Sequence, residues 1–192
     1  MSSNNQTQIQ VQPQSQPQQT FKKDDAFQIL TLINTWISNI DTKTSFALAL
    51  ASIFIGMIFT NGIPNAFQRI VDVSELTELN RGEIYAVILV SLLCLASFLS
   101  IICFMMAIIV RVKNLNNATS LFFFGSIGKM ELQSYREKAN LITERELIDD
   151  LEEQIHTNSR ICNQKAKWYN KGIMFLLATI VLWFVCVFFR LI

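Results

Sequence analysis

The sequence predicts an all-α membrane protein, with three transmembrane helices and a cytosolic helical hairpin whose last helix continues into the third span. Three observations carry this. About half of the 192 residues are apolar and the mean hydropathy is +0.34, too greasy for an ordinary soluble domain. Fifteen Phe against three Pro favour long helices over strands, which would bring turn residues at short intervals. No charge interrupts residues 44–68, 84–110 or 172–189. At 1.5 Å per residue these reach roughly 37, 40 and 27 Å, enough for a bilayer core of about 30 Å.

Residues 1–23 begin as Gln, Asn, Ser, Thr and Pro with no charge before Lys22, a composition expected to stay disordered. Nothing resembles a cleavable signal peptide, because the first apolar run is too long for one. Over 24–43, Phe27, Leu30, Ile33, Ile37 and Ile40 recur at helical spacing behind Asp24 and Asp25. This is an amphipathic helix leading into the membrane. It either lies in the interface, where Trp36 is favoured, or packs on the cytosolic helices. Asp41-Thr42-Lys43 closes it, read as a snorkelling lysine with a nearby acid. Span one covers 44–63, where Asn61, Gly62 and Pro64 end the run. It carries a small-residue stripe, Ser45, Ala49, Ser52, Gly56 and Thr60, on one face. Such a face lets another helix approach closely, within one subunit or between subunits of a homo-oligomer.

An external loop, 64–83, leads to span two at 84–110. The loop between the first two spans holds Arg69 and Arg81 against Asp72, Glu75, Glu78 and Glu83, whereas 111–171 holds ten basic residues. The positive-inside rule therefore puts the N-terminus and 111–171 in the cytoplasm of a multi-pass inner-membrane protein. A two-span alternative would make 172–189, here span three, a buried soluble helix.

Within 111–171, Thr143-Glu144-Arg145-Glu146 fits a capping box. From there Ile148, Leu151, Ile155, Asn158, Cys162, Ala166, Tyr169 and Ile173 form one stripe with no proline. One helix from about 144 to 190 would be roughly 70 Å long. Asn158, polar in a mainly apolar seam, reads as a register-setting position or a ligand contact. The helix begins acidic (Asp149, Asp150, Glu152, Glu153) and turns basic towards the membrane (Arg160, Lys165, Lys167, Lys171), a pattern that topology and anionic lipid mostly explain, with a bound anionic ligand as the alternative.

The chemistry this excludes is broad. A formal charge of +1 argues against a nucleic-acid partner, and spans without a central charge argue against an ion-coupled transporter. A single histidine, His156, permits no His-rich metal site or Ser-His-Asp pairing beyond itself. Cys94, Cys103, Cys162 and Cys186 lack CxxC spacing and suggest neither metal nor disulfide. Gly125-Ser126-Ile127-Gly128-Lys129 resembles the end of a phosphate loop, but Phe123 stands where the first Gly belongs and Met130 where Ser or Thr belongs. No enzyme, cofactor or metal is expected. The stretch 121–130 reads instead as an elbow. Leu121 to Phe124 dock on the bundle or the membrane, Gly125 and Gly128 permit the turn, and Lys129 stays in water.

With these residues in place, the chain resembles the transmembrane effectors of bacterial Pycsar antiphage systems, related in plan to the SLATT group. The resemblance covers roughly 25–190 and rests on Asn34 to Lys43, FFFGSIGKM, Tyr135 and the run from Asp149 to Tyr169. It implies an effector that a cyclic pyrimidine nucleotide, cyclic UMP or cyclic CMP from a neighbouring cyclase, activates to impair the membrane and kill the infected cell. On that reading Lys129, Arg160 and Lys165 meet phosphate, and Gln154, Asn158 and Ser159 meet base or ribose. The alternatives are a constitutive holin-like pore, toxic without nucleotide, and a membrane scaffold docking a soluble partner.

Overall fold

A computed structural model describes residues 21–60, 62–72, 80–109 and 120–192. The expected tail lies outside these residues up to position 20, as do residues 73–79 of the external loop, with Glu75 and Glu78, and Arg111 and Lys113. Among the described residues six helices follow in order: α1 (Lys23–Ile58), α2 (Asn65–Asp72), α3 (Arg81–Ile109), α4 (Phe124–Ile127), α5 (Leu132–Leu141) and α6 (Glu144–Phe188). The long helices α1, α3 and α6 are each long and apolar enough to cross a membrane.

The segments 24–43 and 44–63 are one unbroken helix as far as Ile58. No Pro or Gly separates them, so nothing stops the backbone ladder at the membrane edge. The start is fixed by Lys22, whose amide donates to Asp25 Oδ2 at 3.2 Å. At α6 the capping box forms: the Thr143 amide donates to Glu146 Oε2 at 2.9 Å, and the Glu146 amide donates to Thr143 Oγ1 at 3.3 Å. The Thr143 amide and the Thr143 hydroxyl, which donates to Glu146 Oε2 at 2.8 Å, hold the Glu146 carboxyl below the ordinary carboxylate range, helped by the Lys138 charge. From that cap α6 runs 45 residues without a break, about 67 Å.

The α1 and α6 axes run parallel. Asn34 bonds Asn158 and Asp41 pairs with Lys165, both across a sequence separation of 124. α3 returns antiparallel between them, bringing the Ile108 carbonyl to Lys165 Nζ at 3.5 Å. In the apolar half, Ala47, Ala51, Phe104 and Leu176 make one core cluster. A second, towards the far end, gathers Ile58, Ala66, Val90, Leu93 and Cys186, with α2 closing that end through Ala66 and Phe67.

Gly172 is a close-approach glycine. A Cβ there would lie 2.5 Å from the Phe104 ring, and Ser100 Oγ donates to the Gly172 carbonyl at 3.1 Å. In lipid, where burial gains little over exposure to acyl chains, such van der Waals contact and interhelical bonding hold helices together.

The small-residue stripe faces the other way. Ser45, Ala49, Ser52 and Gly56 are all exposed, and nothing lies within 4 Å of a Cβ built on Gly56. Packing of this face within the subunit is therefore not what the stripe does. Ser45, Ser52 and Thr60 satisfy their hydroxyls on the carbonyls of Asp41, Leu48 and Gly56, so the face can lie open to lipid without an orphaned donor.

The short helix α5 does not pack as the arm of a hairpin. α5 buries none of its residues, because its sequence, LQSYREKANL, carries only two large aliphatic side chains and both are exposed.

Candidate functional site

The polar half of the bundle carries the hydrogen bonds and the ion pair that join α1 to α6. Its seam between α1 and α6 has two polar rungs seven residues apart on each helix, one heptad. In the lower rung Asn158 Nδ2 donates to Asn34 Oδ1 at 2.9 Å. In the upper, Lys165, buried to 6% exposure, pairs with Asp41, whose side chain is 43% exposed. Lys165 also reaches the Ile108 carbonyl, so all three long helices meet at one ammonium group. A buried ammonium is tolerated only with such partners.

Below the rungs, residues 120–130 clip onto α6. Ser120, fully buried, accepts from Gln154 Nε2 at 3.3 Å and from the amides of Phe122 and Phe123 at 3.1 Å each. The Leu121 amide donates to Asp150 Oδ2 at 2.8 Å. Phe122 stands edge-on to Phe27 of α1, with ring centroids 5.7 Å apart. One segment thus grips both α1 and α6.

Several expectations change here. Asp41 does not serve Lys43; its partner is Lys165, because the parallel register brings that lysine inward at the same level. Leu121 docks as expected and Phe122 is half-buried, but Phe124 is 77% exposed. The elbow glycines are not needed for a left-handed turn, since the described glycine with positive φ is Gly62. Gly125 instead leaves room for the Phe123 ring, which a Cβ would meet at 2.6 Å. His156 is exposed.

The six candidate ligand contacts divide in two. Gln154, Asn158 and Lys165 hold the closed bundle, on Ser120, Asn34 and Asp41 respectively. Lys129 and Arg160 are exposed and Ser159 is half-exposed, so these three face outward. The structure brings none of the outward three into a shared pocket. Asn34, Ser120 and Asp150 were missed as site residues. Asn34 was legible in principle, since Asn34 to Asp41 repeats the seven-residue step of Asn158 to Lys165. Ser120 and Asp150 carry no such signal, because their pairing depends on how the chain returns.

Two clefts in this half are lined by α6, and neither is built for an anion. One of about 410 Å³ lies between the end of α5 and α6, where Glu146, Asp149, Asp150 and Glu153 face a single cation, Lys138. Glu153 Oε2 is buried there without a hydrogen-bond partner. The other, about 840 Å³, lies between the starts of α1 and α6, where Lys22, Lys23 and Arg145 are outnumbered by Asp24, Glu144, Asp149 and Glu152. A phosphate would be repelled from the first and gain little in the second.

Three helices long and apolar enough to cross a membrane, one of them 45 residues long with a polar first half, point to a multi-pass helical membrane protein. Comparison with known proteins carries this further. The family model for the Pycsar effector protein domain matches residues 25–192. A Pycsar effector protein of Gulbenkiania mobilis is 30% identical over 178 residues, covering 85% of this chain and 90% of that protein. The chain belongs to the Pycsar effector family, the transmembrane effectors of an antiphage defence system. No solved structure matches it significantly.

Proposed function

We propose that this protein is a cyclic-pyrimidine-nucleotide-activated effector of abortive infection. Cyclic UMP or cyclic CMP, made by a neighbouring pyrimidine cyclase, reaches the polar half of the bundle in the cytoplasm. The bundle then rearranges in the inner membrane, membrane integrity is lost and the infected cell dies.

The observation that carries this reading is the continuity of α6. The residues that face outward, Ser159 and Arg160, and the rungs at Asn158 and Lys165 lie on the same uninterrupted helix as the third span. A rigid helix transmits a rotation or shift at one end to the other. Family membership supplies the signal to which such a lever would answer.

A ligand shifts a two-state equilibrium only through differential affinity. The closed bundle offers that difference, because Gln154, Asn158 and Lys165 are occupied by other parts of the chain. Lys129 and Arg160 would hold the phosphate first, with Ser159 on base or ribose. Parting α1 and the elbow from α6 would then release Lys165 for phosphate and Gln154 and Asn158 for the base, contacts that exist only in the open state. The exposed face of Ser45, Ala49, Ser52 and Gly56 would pack against a second copy in a homo-oligomer.

Dye uptake and membrane potential in cells expressing the protein, with and without supplied cyclic UMP or cyclic CMP, test the reading. Depolarisation only with nucleotide is expected. No change with either nucleotide sinks it, and damage without any nucleotide supports a holin-like pore instead.

A further inference from the structure

Where the apolar faces of α1 and α6 begin, three lysines stand without a counter-charge among the described residues. Lys43, Lys167 and Lys171 are exposed, and the separation of 124 that sets the register of both rungs puts Lys43 level with Lys167. Lys171 Nζ lies 4.9 Å from the centroid of the Trp168 ring. No Asp or Glu follows Glu153 in α6, and on α1 the last acid is Asp41, already taken by Lys165. About one turn further along each helix the surface is open and apolar, with Phe46 81% and Met174 72% exposed.

We propose that Lys43, Lys167 and Lys171, with Trp168, form a collar that binds the headgroups of anionic phospholipids and fixes one edge of the bilayer at the level of Trp168. Three arguments favour lipid as the occupant. The collar lies where an interfacial indole and snorkelling lysines belong, with lipid-facing side chains directly above. Its cations are unopposed, so an anionic headgroup is the complementary charge. The distance also fits: Trp168 to Phe188 is 20 residues, about 30 Å, one hydrocarbon thickness, ending just before Arg190 at the far surface. Arg160 lies about 16 Å below Lys171 along the helix axis, outside the headgroup layer, and so stays open to a soluble ligand. The collar stands independently of any nucleotide response.

The test uses the full chain with Trp36→Phe and Trp183→Phe, leaving Trp168 as its tryptophan, in phosphatidylcholine vesicles. A minor share of either brominated phosphatidylglycerol or brominated phosphatidylcholine serves as quencher. Stronger quenching by the anionic lipid is expected, with its preference falling about fivefold per lysine removed, about 25-fold in K167Q/K171Q. Equal quenching by the two lipids, or a preference unchanged in K167Q/K171Q, overturns the proposal. Should the Trp36→Phe, Trp183→Phe chain not fold, the same comparison on the chain with all three tryptophans, with and without K167Q/K171Q, gives the same decision.

Discussion

The α1–α6–α3 bundle is held in two different ways along its length. In the membrane half, helices meet through small residues and satisfied hydroxyls: Ala47 and Ala51, Phe104 over Gly172, and Ser97, whose Oγ lies 3.4 Å from that of Thr179. In the polar half they meet through an amide pair, a buried ion pair and a clip on Ser120. The first kind of contact depends on shape, is insensitive to solutes and cannot be replaced by water. The second is made of groups that a charged or hydrogen-bonding ligand could satisfy equally well. A molecule built this way can change its arrangement at one end while the other stays a close-packed membrane bundle until the change arrives.

The strongest way to break that contrast is Asp41→Ala. It strands the Lys165 ammonium in the bundle and should cost about 2 kcal/mol, less than a fully buried pair because Asp41 is half-exposed. Melting of the full chain in detergent reads this directly. Lys165→Met, which removes the charge and keeps the bulk, should cost distinctly less, and equal losses would show that the unpaired charge is not the cause.

Gly172→Ala attacks the other half. Its Cβ must displace Phe104, an overpacking cost of about 1–3 kcal/mol. Adding Phe104→Leu should restore part of it in the same assay. Full additivity of the two changes would mean that the close approach is not what fixes the spacing.

Next comes the amide rung. Asn34→Ala and Asn158→Ala should each cost about 0.5–1.5 kcal/mol, with the double variant costing less than the sum. Replacing both by Leu should leave the melting point near its starting value while loosening the register.

The smallest effect belongs to the cap of α6. Because the folded Glu146 carboxyl titrates below the ordinary range, its stabilisation is present above that range and fades as pH falls through the folded value. Amide-exchange protection at residues 144–147, taken relative to the intrinsic rate at each pH, should therefore fall at acid pH, and Glu146→Gln should remove that fall.

How much of this was legible in sequence follows from the range of each interaction. Spans, the capping box and the unbroken α6 are local properties of periodicity and charge, and all could be read from 44–68, 84–110, 143–146 and 144–190. Asn158 stood out as polar in an apolar seam, yet its partner Asn34 lies 124 residues away and appears only once the helices are known to be parallel. The same step hid the partner of Asp41. Phe124 looked like a docking residue because composition cannot say which phenylalanine of three turns inward. The small stripe on α1 was visible, but its direction was not, since one helix carries no mark of where its neighbours stand.

The central claim is that the polar half must part before the membrane half responds. Asn34→Cys with Asn158→Cys, joined by a short bifunctional thiol reagent, locks the lower rung. The native Cys162 thiol, pushed up by burial, reacts slowly in competition, and each single variant serves as the control. In vesicles loaded with dye, the cross-linked chain should show no leakage with cyclic UMP or cyclic CMP, and cleaving the linker should raise leakage to the level of the uncross-linked double variant. Nucleotide-driven leakage undiminished by the cross-link would contradict the account.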